Sequence, residues 1–488
     1  RPAGTTTAAN TIIGSLDPKA YYGLASDFNR GSAAVATLGH IHRFDGGAEL
    51  KTQLRHGRFD RDLRPSVIRF AGTTVQPAVF LSNFGPGTVF TRGGNPKIQD
   101  VEVTQLQSDY SAKVQAWGMR HELMAGFDSA IEKKAVYAAS GLTKPTTLAG
   151  TPNDGAWVDE SSRTLRTGSQ FEARAWGVYA QDLVQVAPAW KLLGGLRYDS
   201  MKGNYDCFSV PSVAPGCGLT SNVTANTTTN YRQNISEWSQ RLGALYQPDA
   251  LHSYHVSYGT SFNTSGDTYS YNPQNANTPP ESSANFELGA KVDSADKRFT
   301  TRLALFHSTK KNERNTDTDT AATRLLLSGQ RHTAGFEIDL TGRLTPKWEV
   351  YGSYTWMPIA KVDKAAPCPA TGGCLQGTVG NQVGDRPGLS PKHSGTVWTT
   401  YQFTPQWRLG GGLNFRSAQA PADVTAPAWE APSFVTADLM AEYTISQQYV
   451  VKANLSNITN KLYGESLYRG HYIPGAGRML QVALTAKF

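Results

Sequence analysis

The side chains best suited to chemistry are few and scattered. His40 and His42, in GHIH, are two apart and would share one strand face, a spacing that could offer two ligands to a metal. No third ligand stands near, so ordinary strand alternation accounts for them as well. His252 and His255 are three apart and would point to opposite faces. Cys207 with Cys217 and Cys368 with Cys374 form two close pairs, each in a stretch rich in Pro, Gly and Ser. Local disulfides in an oxidising compartment would use such pairs, whereas a zinc site would need further Cys or His that neither stretch supplies. No GxSxG elbow, HExxH pair or glycine-rich loop ending in GK occurs. The chain is therefore expected not to be an enzyme and to carry no resident cofactor or metal.

Composition narrows what could position such groups. The 488 residues suffice for several soluble domains or one large barrel. No stretch approaches the roughly 18 consecutive apolar residues of a spanning helix, which excludes a helical membrane protein. Abundant Gly, Tyr, Phe and Trp favour strands and turns. A formal charge of +8 suits an anionic partner such as lipopolysaccharide, nucleic acid or an anionic ligand, and equally a basic surface with no message.

Alternation with period two recurs. In AELKTQLR, Ala48, Leu50, Thr52 and Leu54 interleave with Glu49, Lys51, Gln53 and Arg55; HELMAGFDSAIE, FELGAK, FEIDL and the final RMLQVALTAKF repeat the pattern. Short turns near 45–47, 118–120, 187–189, 248–250, 294–296, 345–347, 404–406 and 446–448 alternate strictly with long polar segments at 61–98, 139–168, 206–232, 265–281, 313–326, 361–390, 418–432 and 460–477. In an antiparallel up-and-down sheet this places all tight turns at one end and all long loops at the other, the plan of a transmembrane β-barrel. About seventeen strands are expected, the first near 34–44. APAW, TPKW, TPQW and SQQY each set an aromatic ring just past a tight turn, where a membrane interface would lie. Leu480, Val482, Leu484 and Ala486 would face lipid, and Gln481, Thr485 and Lys487 a watery lumen.

Several stretches resemble the barrel of TonB-dependent outer-membrane receptors: GVYAQDLVQVAPAWKLLGGLRYDS (177–200), RLGALYQPDALHSYHVSYGTSF (241–262), PESSANFELGAK (280–291), GQRHTAGFEIDLTGRLTPKWEVYGSYTW (329–356) and LSNITNKLYGESLYRGHYIPGAGRMLQVALTAKF (455–488). PGAGR, at 474–478, is most similar to the ferric catecholate siderophore branch. The resemblance implies a barrel of about 22 strands preceded by a plug domain that engages the TonB–ExbB–ExbD system. Residues 1–33 are then expected to form an extracellular loop segment and 34–488 the C-terminal part of the barrel, with the plug and about five strands lying upstream of this sequence. The terminal Phe488 resembles the aromatic by which assembly machinery recognises such barrels.

The implied function is energised import of an iron-siderophore complex across a bacterial outer membrane, the chelate being cargo. Cobalamin, haem or a saccharide on the same barrel, or a passive porin, are the alternatives. The implied partners are the TonB system, the ferric siderophore and lipopolysaccharide, and not nucleic acid. An anionic, aromatic ferric catecholate calls for Arg or Lys and aromatic side chains in the loops. The candidates are Tyr21 and Tyr22 in the N-terminal loop; Arg61, Arg64 and Arg69 after the second strand; Lys310, Lys311 and Arg314 at another rim; Arg416 with Trp429; and Tyr468, Arg469 and Tyr472 in LYRGHY.

Overall fold

The computed structural model describes residues 16–17, 19–80, 82–211, 213, 217, 219, 221–264, 271, 276, 279–313, 328–364, 383–420, 430–468 and 471–487. The strands are β1 Phe28–Arg43, β2 Glu49–Arg64, β3 Ser66–Phe70, β4 Val89–Gly94, β5 Lys97–Ala116, β6 Met119–Ala139, β7 Thr147–Leu148, β8 Leu165–Ala187, β9 Trp190–Ser209, β10 Thr227–Tyr246 and β11 His252–Asn263. They continue as β12 Glu281–Asp293, β13 Phe299–Glu313, β14 Ser328–Thr345, β15 Trp348–Lys364, β16 His393–Gln402, β17 Trp407–Arg416, β18 Phe434–Thr444, β19 Tyr449–Ser456, β20 Gly464–Tyr468, β21 His471–Pro474 and β22 Met479–Ala486.

Seventeen of them form one sheet in which each strand pairs antiparallel with the next; β3, β4 and β7 make a separate sheet, and β20 with β21 a hairpin. Eight tight connections, at 44–48, 117–118, 188–189, 247–251, 294–298, 346–347, 403–406 and 445–448, all fall at one end. At 117–118 both turn residues take positive φ, 51° for Trp117 and 73° for Gly118, the backbone a two-residue hairpin needs. The long connections collect at the other end. The segment before β1 joins them there, because Phe28 is the register partner of Arg64 at the far end of β2. No pairing joins β1 to β22 among the described residues.

The two faces of this sheet differ as the alternation requires. On β22, Leu480, Val482, Leu484 and Ala486 stand opposite Leu455, Ala453, Val451 and Tyr449, while Gln481 faces Asn454 on the other side. Leu480, Val482 and Leu484 are each about two-thirds exposed, and the same face of neighbouring strands carries exposed Leu413, Leu439 and Val397. A continuous apolar band of this size has no water-compatible explanation; hydrocarbon covers it.

Aromatic pairs mark the edges of the band. Trp190 and Tyr246 are register partners with rings 4.7 Å apart near the tight turns, and Tyr198 and Trp238, eight residues further along the same two strands, lie 5.0 Å apart. Eight residues of strand cover about 26 Å, which at barrel tilt matches a bilayer core. Trp348 against Tyr401 and Trp407 against Tyr443 continue the lower ring, so the aromatic residues after TPKW and TPQW do sit at the interface.

Two expectations change. The first strand begins at Phe28 rather than near 34, so the boundary expected at 33/34 lies inside β1. Several strands are also much longer than a bilayer needs: β5, β6, β8, β9 and β10 have 20, 21, 23, 20 and 20 residues against the roughly 9–11 of a spanning strand. They continue well above the upper aromatic pair; there the outer face is polar and charged, while the inner face of β8, β9 and β10 carries a buried apolar cluster of Phe171, Ala173, Met201, Tyr205 and Ile235 closed by Tyr271. Arg61 and Arg64 therefore belong to β2, not to a loop, and Arg69 lies in β3.

Candidate functional site

At the long-loop end the segment before β1 and the connections after β2 and β6 fold into a packed cap. Tyr22, Phe90 and Ala149 are its buried centre, with Leu16, Ala20, Ile68, Phe70 and Phe84 against them. Tyr22 and Phe90 meet edge to face at 5.0 Å, and Tyr22 Oη donates to the Ala149 carbonyl at 2.7 Å, so the phenol is spent inside the cap. Burial pushes its pKa up. Arg92, whose side chain is wholly buried, ties three segments together. Its Nε donates to the Tyr22 carbonyl at 2.7 Å, and a terminal nitrogen reaches both carboxylate oxygens of Asp154 at 2.7 Å.

A second buried cluster sits beside it. Asp27 accepts from Leu24 N at 3.1 Å, from Tyr21 Oη at 2.9 Å, and from Ser66 N and Oγ at 2.9 Å, with Lys144 Nζ at 3.5 Å. Glu160 lies 2.6 Å from Arg163 Nε, 3.9 Å from Lys144 and 3.8 Å from Arg64. Arg64 further donates to both oxygens of Asp62 and to the Glu160 carbonyl at 2.6 Å. Tyr21, half exposed, has its phenol pKa pushed up to about 12 by burial and by the bond to Asp27.

Burial would raise the Asp27 pKa, but the four hydrogen bonds outweigh it and hold the carboxyl below its ordinary value. Asp154 is likewise lowered, with Arg92 and the Ala156 amide overcoming burial. A carboxyl depressed in the folded state contributes stability that is complete above its unfolded pKa and is lost as pH falls through the lower folded one. Protease resistance of the cap should thus be constant down to about pH 5 and decline below about pH 4, while the strand ladder persists. Loss of protection on going from neutral pH to pH 5 would contradict this assignment.

The remaining candidates divide sharply. Arg61 is exposed and reaches Asn29 Oδ1 at 3.3 Å; Arg69 is exposed on β3. Lys310 and Lys311 are adjacent on β13 and so point to opposite faces. Lys310 shares the polar face with Glu281, 3.4 Å away, whereas Lys311 shares the outer face with Leu305. Arg416 is turned onto the β20–β21 hairpin, donating to the Glu465 and Gly464 carbonyls with its guanidinium 5.0 Å over the Phe434 ring. Tyr468 and Tyr472 are residues of that hairpin by backbone. Arg314, Trp429, Arg469, Cys368, Cys374 and Phe488 lie outside the described residues.

Cys207 and Cys217 are bonded, S–S 2.05 Å, and the Tyr231 phenol donates to the Cys217 carbonyl at 2.7 Å, pinning that loop to β10. His40 and His42 do share a face, with rings stacked 6.4 Å apart. Among the described residues no group of three or more His, Cys, Asp or Glu is placed to hold a metal ion.

The structure thus brings Tyr21, Tyr22 and Arg64 into one assembly and leaves Arg61 and Arg69 as exposed cations beside it. Asp27, Arg92, Lys144, Asp154, Glu160 and Arg163, which build that assembly, had not stood out in the sequence. Their one signal is a density of paired charges in stretches otherwise read as loop.

Below the cap, the polar face of the sheet lines a lumen. Arg197 bridges Asp128 at 2.6 Å and Asp199 at 2.6 Å, with its guanidinium 5.2 Å over the Tyr179 ring, and Tyr179 bonds Asp109. A cavity of about 420 Å³ opens there, lined by Gln107, Asp128, Tyr179, Arg197 and Arg241 among others. A Cβ on Gly177 would come within 2.2 Å of Arg197, so that glycine is what lets the guanidinium lie against the wall.

An antiparallel membrane barrel with a polar inner face and a folded cap of loops at one end defines the class. Residues 2–458 match the family model described as TonB dependent receptor-like, beta-barrel, and the chain belongs to that family. It is 26% identical over 437 residues to a probable TonB-dependent siderophore receptor, PiuA, of Acinetobacter baumannii, covering 83% of this chain and 55% of the relative. It is 23% identical over 512 residues to the catecholate siderophore receptor Fiu of Escherichia coli K12, covering 98% and 63%.

The chain thus spans between half and two-thirds of the length of these relatives. The crystal structures of Fiu in its closed form and of PiuA both superpose with a TM-score of 0.82 at 21% identity, covering 99% and 100% of this chain and 68% and 69% of theirs, which bears on the fold alone. The chain is an outer-membrane barrel, and its family consists of transport receptors rather than enzymes.

Proposed function

We propose that this chain is the barrel portion of a receptor that binds a ferric siderophore from the medium and imports it with energy delivered through the TonB–ExbB–ExbD system. The observation that carries the proposal is the folded cap at the long-loop end, with exposed basic and aromatic side chains at its surface, on a polar-faced barrel of the receptor family. The relatives named as siderophore receptors support an iron-chelate cargo, and Fiu supports a catecholate. Such a ligand is anionic and aromatic, which suits Arg61 and Arg69 for charge and half-exposed Tyr21 for stacking. No covalent step is required of the protein, so no catalytic group is assigned. The iron complex is cargo, not a cofactor.

A metallophore of another chemistry is the second reading. It is favoured by 23% identity over 511 residues, 99% of this chain, to the metal-pseudopaline receptor CntO of Pseudomonas aeruginosa. The test is equilibrium binding of a ferric catecholate and of a non-catecholate complex to the full-length receptor. Arg61→Ala with Arg69→Ala is expected to weaken catecholate binding about tenfold, and Lys311→Ala, on the outer face, to leave it unchanged. A receptor that ignores catecholates and binds the other complex would overturn the catecholate assignment.

A further inference from the structure

The outward faces of β8, β9 and β10 carry a feature that neither cargo nor lumen explains. Register partners on this face rise in rows: Val178, Tyr198 and Trp238; then Trp176, Ser200 and Ser236; then Arg174, Lys202 and Asn234; then Glu172, Asn204 and Arg232. The first two rows hold the upper aromatic girdle, with Trp176 and Tyr198 rings 5.5 Å apart and Tyr198 and Trp238 rings 5.0 Å apart. Trp238 is 64% exposed, so lipid covers it.

The next row sets Arg174 directly opposite Lys202, and Arg232 stands diagonally above Lys202 on the neighbouring strand. All three side chains are exposed. Like charges directly opposite on a sheet repel. Arg174 is partly relieved by Glu172 at 2.8 Å, but among the described residues Lys202 and Arg232 make no ion pair. A shared anion removes the penalty.

The position says which anion. One same-face row is about 7 Å of strand, about 5 Å of height at barrel tilt, so the cations begin just above the rings that mark the edge of the hydrocarbon. That is headgroup height. The recess of about 600 Å³ next above, which Arg232 itself borders, is lined by four basic and four acidic residues, so the excess of positive charge sits at its lower edge, where Arg174 and Lys202 stand.

We propose that Arg174, Lys202 and Arg232, with Trp176 and Trp238 beneath them, form a binding site for the phosphate headgroup of an outer-leaflet lipid, the rings packing on its acyl chains. The site rests on the placement of the barrel in the membrane and is independent of the cargo.

Full-length receptor, stripped of lipid in nonionic detergent, is titrated with lipopolysaccharide in mixed micelles and the bound lipid counted by native mass spectrometry. The expected result is one lipid retained by the wild type at low salt, with affinity falling at least tenfold in Lys202→Gln/Arg232→Gln. Trp238→Ala should also weaken retention. Arg58→Gln, in the charge-balanced recess, should match the wild type, and heat-modifiable migration on gels checks that every variant is folded. Equal retention by the double variant overturns the site. Full displacement by inorganic phosphate together with indifference to Trp238→Ala would mean a free-anion site, and the lipid proposal fails.

Discussion

Replacing Arg92 by Ala is expected to open the cap while leaving the barrel folded. The side chain is wholly buried, and its loss strands the Tyr22 carbonyl and the Asp154 carboxylate together, both within 2.7 Å of its nitrogens. Asp154 is exposed and can turn to water, so the loss falls on the buried Tyr22 carbonyl, and a buried acceptor left unmade costs about 1–3 kcal/mol. The cap's own apolar centre is small, three buried residues and their neighbours, and has little to set against such a loss. The strand ladder of the barrel owes nothing to Arg92.

Hydrogen exchange should therefore show residues 16–27 and β4 losing protection by about ten- to a hundredfold, with β8–β10 unchanged. Arg92→Lys supplies one donating nitrogen where Arg92 spreads its bonds over three, and should recover part of the protection. Ferric siderophore binding should fall with the cap if the cap presents the ligand. Wild-type protection of 16–27 in Arg92→Ala would sink the assignment.

The contrast between Arg92 and Arg61 explains what the sequence could and could not tell. Alternation and connector length were enough for the architecture, because every strand crossing a bilayer must show one apolar face and because hairpin topology sends alternate loops to opposite ends. All eight tight turns fall where expected, to within a residue or two. Strand ends failed for a physical reason. Above the bilayer both faces of β2 meet water, so Arg58, Asp60, Asp62 and Arg64 lose the apolar counterpoint that marks a strand, and Arg61 and Arg64 read as loop.

The site was legible only as a set of residue types. An arginine free to meet a ligand and an arginine locked onto Glu160, 96 positions away in the chain, look alike in one dimension. Tyr22 misled in the same way, its phenol being taken by a carbonyl 127 residues distant. Lys310 and Lys311 are adjacent, and adjacency on a strand alone dictates that one of them faces out.

Gly335 yields the second large prediction. It lies on β14 opposite a bulge in β15: Ala334 pairs with Ile359 and Phe336 with Trp356, leaving Met357 and Pro358 to face one residue. Proline has no amide to give the ladder, so a bulge is where a strand can hold Pro358. The carbonyls turned aside there are met by Arg386, which donates to Met357 O at 2.7 Å and to Pro358 O at 3.2 Å. The bulged strand presses its backbone against Gly335, so a Cβ would stand 2.3 Å from Trp356 O and 3.1 Å from Met357 Cα.

No rotamer relieves a clash made by Cβ itself; the strands must part. Gly335→Val is therefore expected to cost at least the roughly 1–3 kcal/mol of an overpacked core site and to break pairing between β14 and β15, two long central strands. The yield of folded, heat-modifiable barrel should drop severalfold. Gly39→Val on β1, where a Cβ would meet nothing within 4 Å, should assemble like the wild type. Equal yields from the two variants would show that the β14–β15 wall is more yielding than its backbone contacts require. Arg386→Ala should fall between them, because it frees the Met357 and Pro358 carbonyls, and with them those of Ser390 and Pro391, without forcing the strands apart.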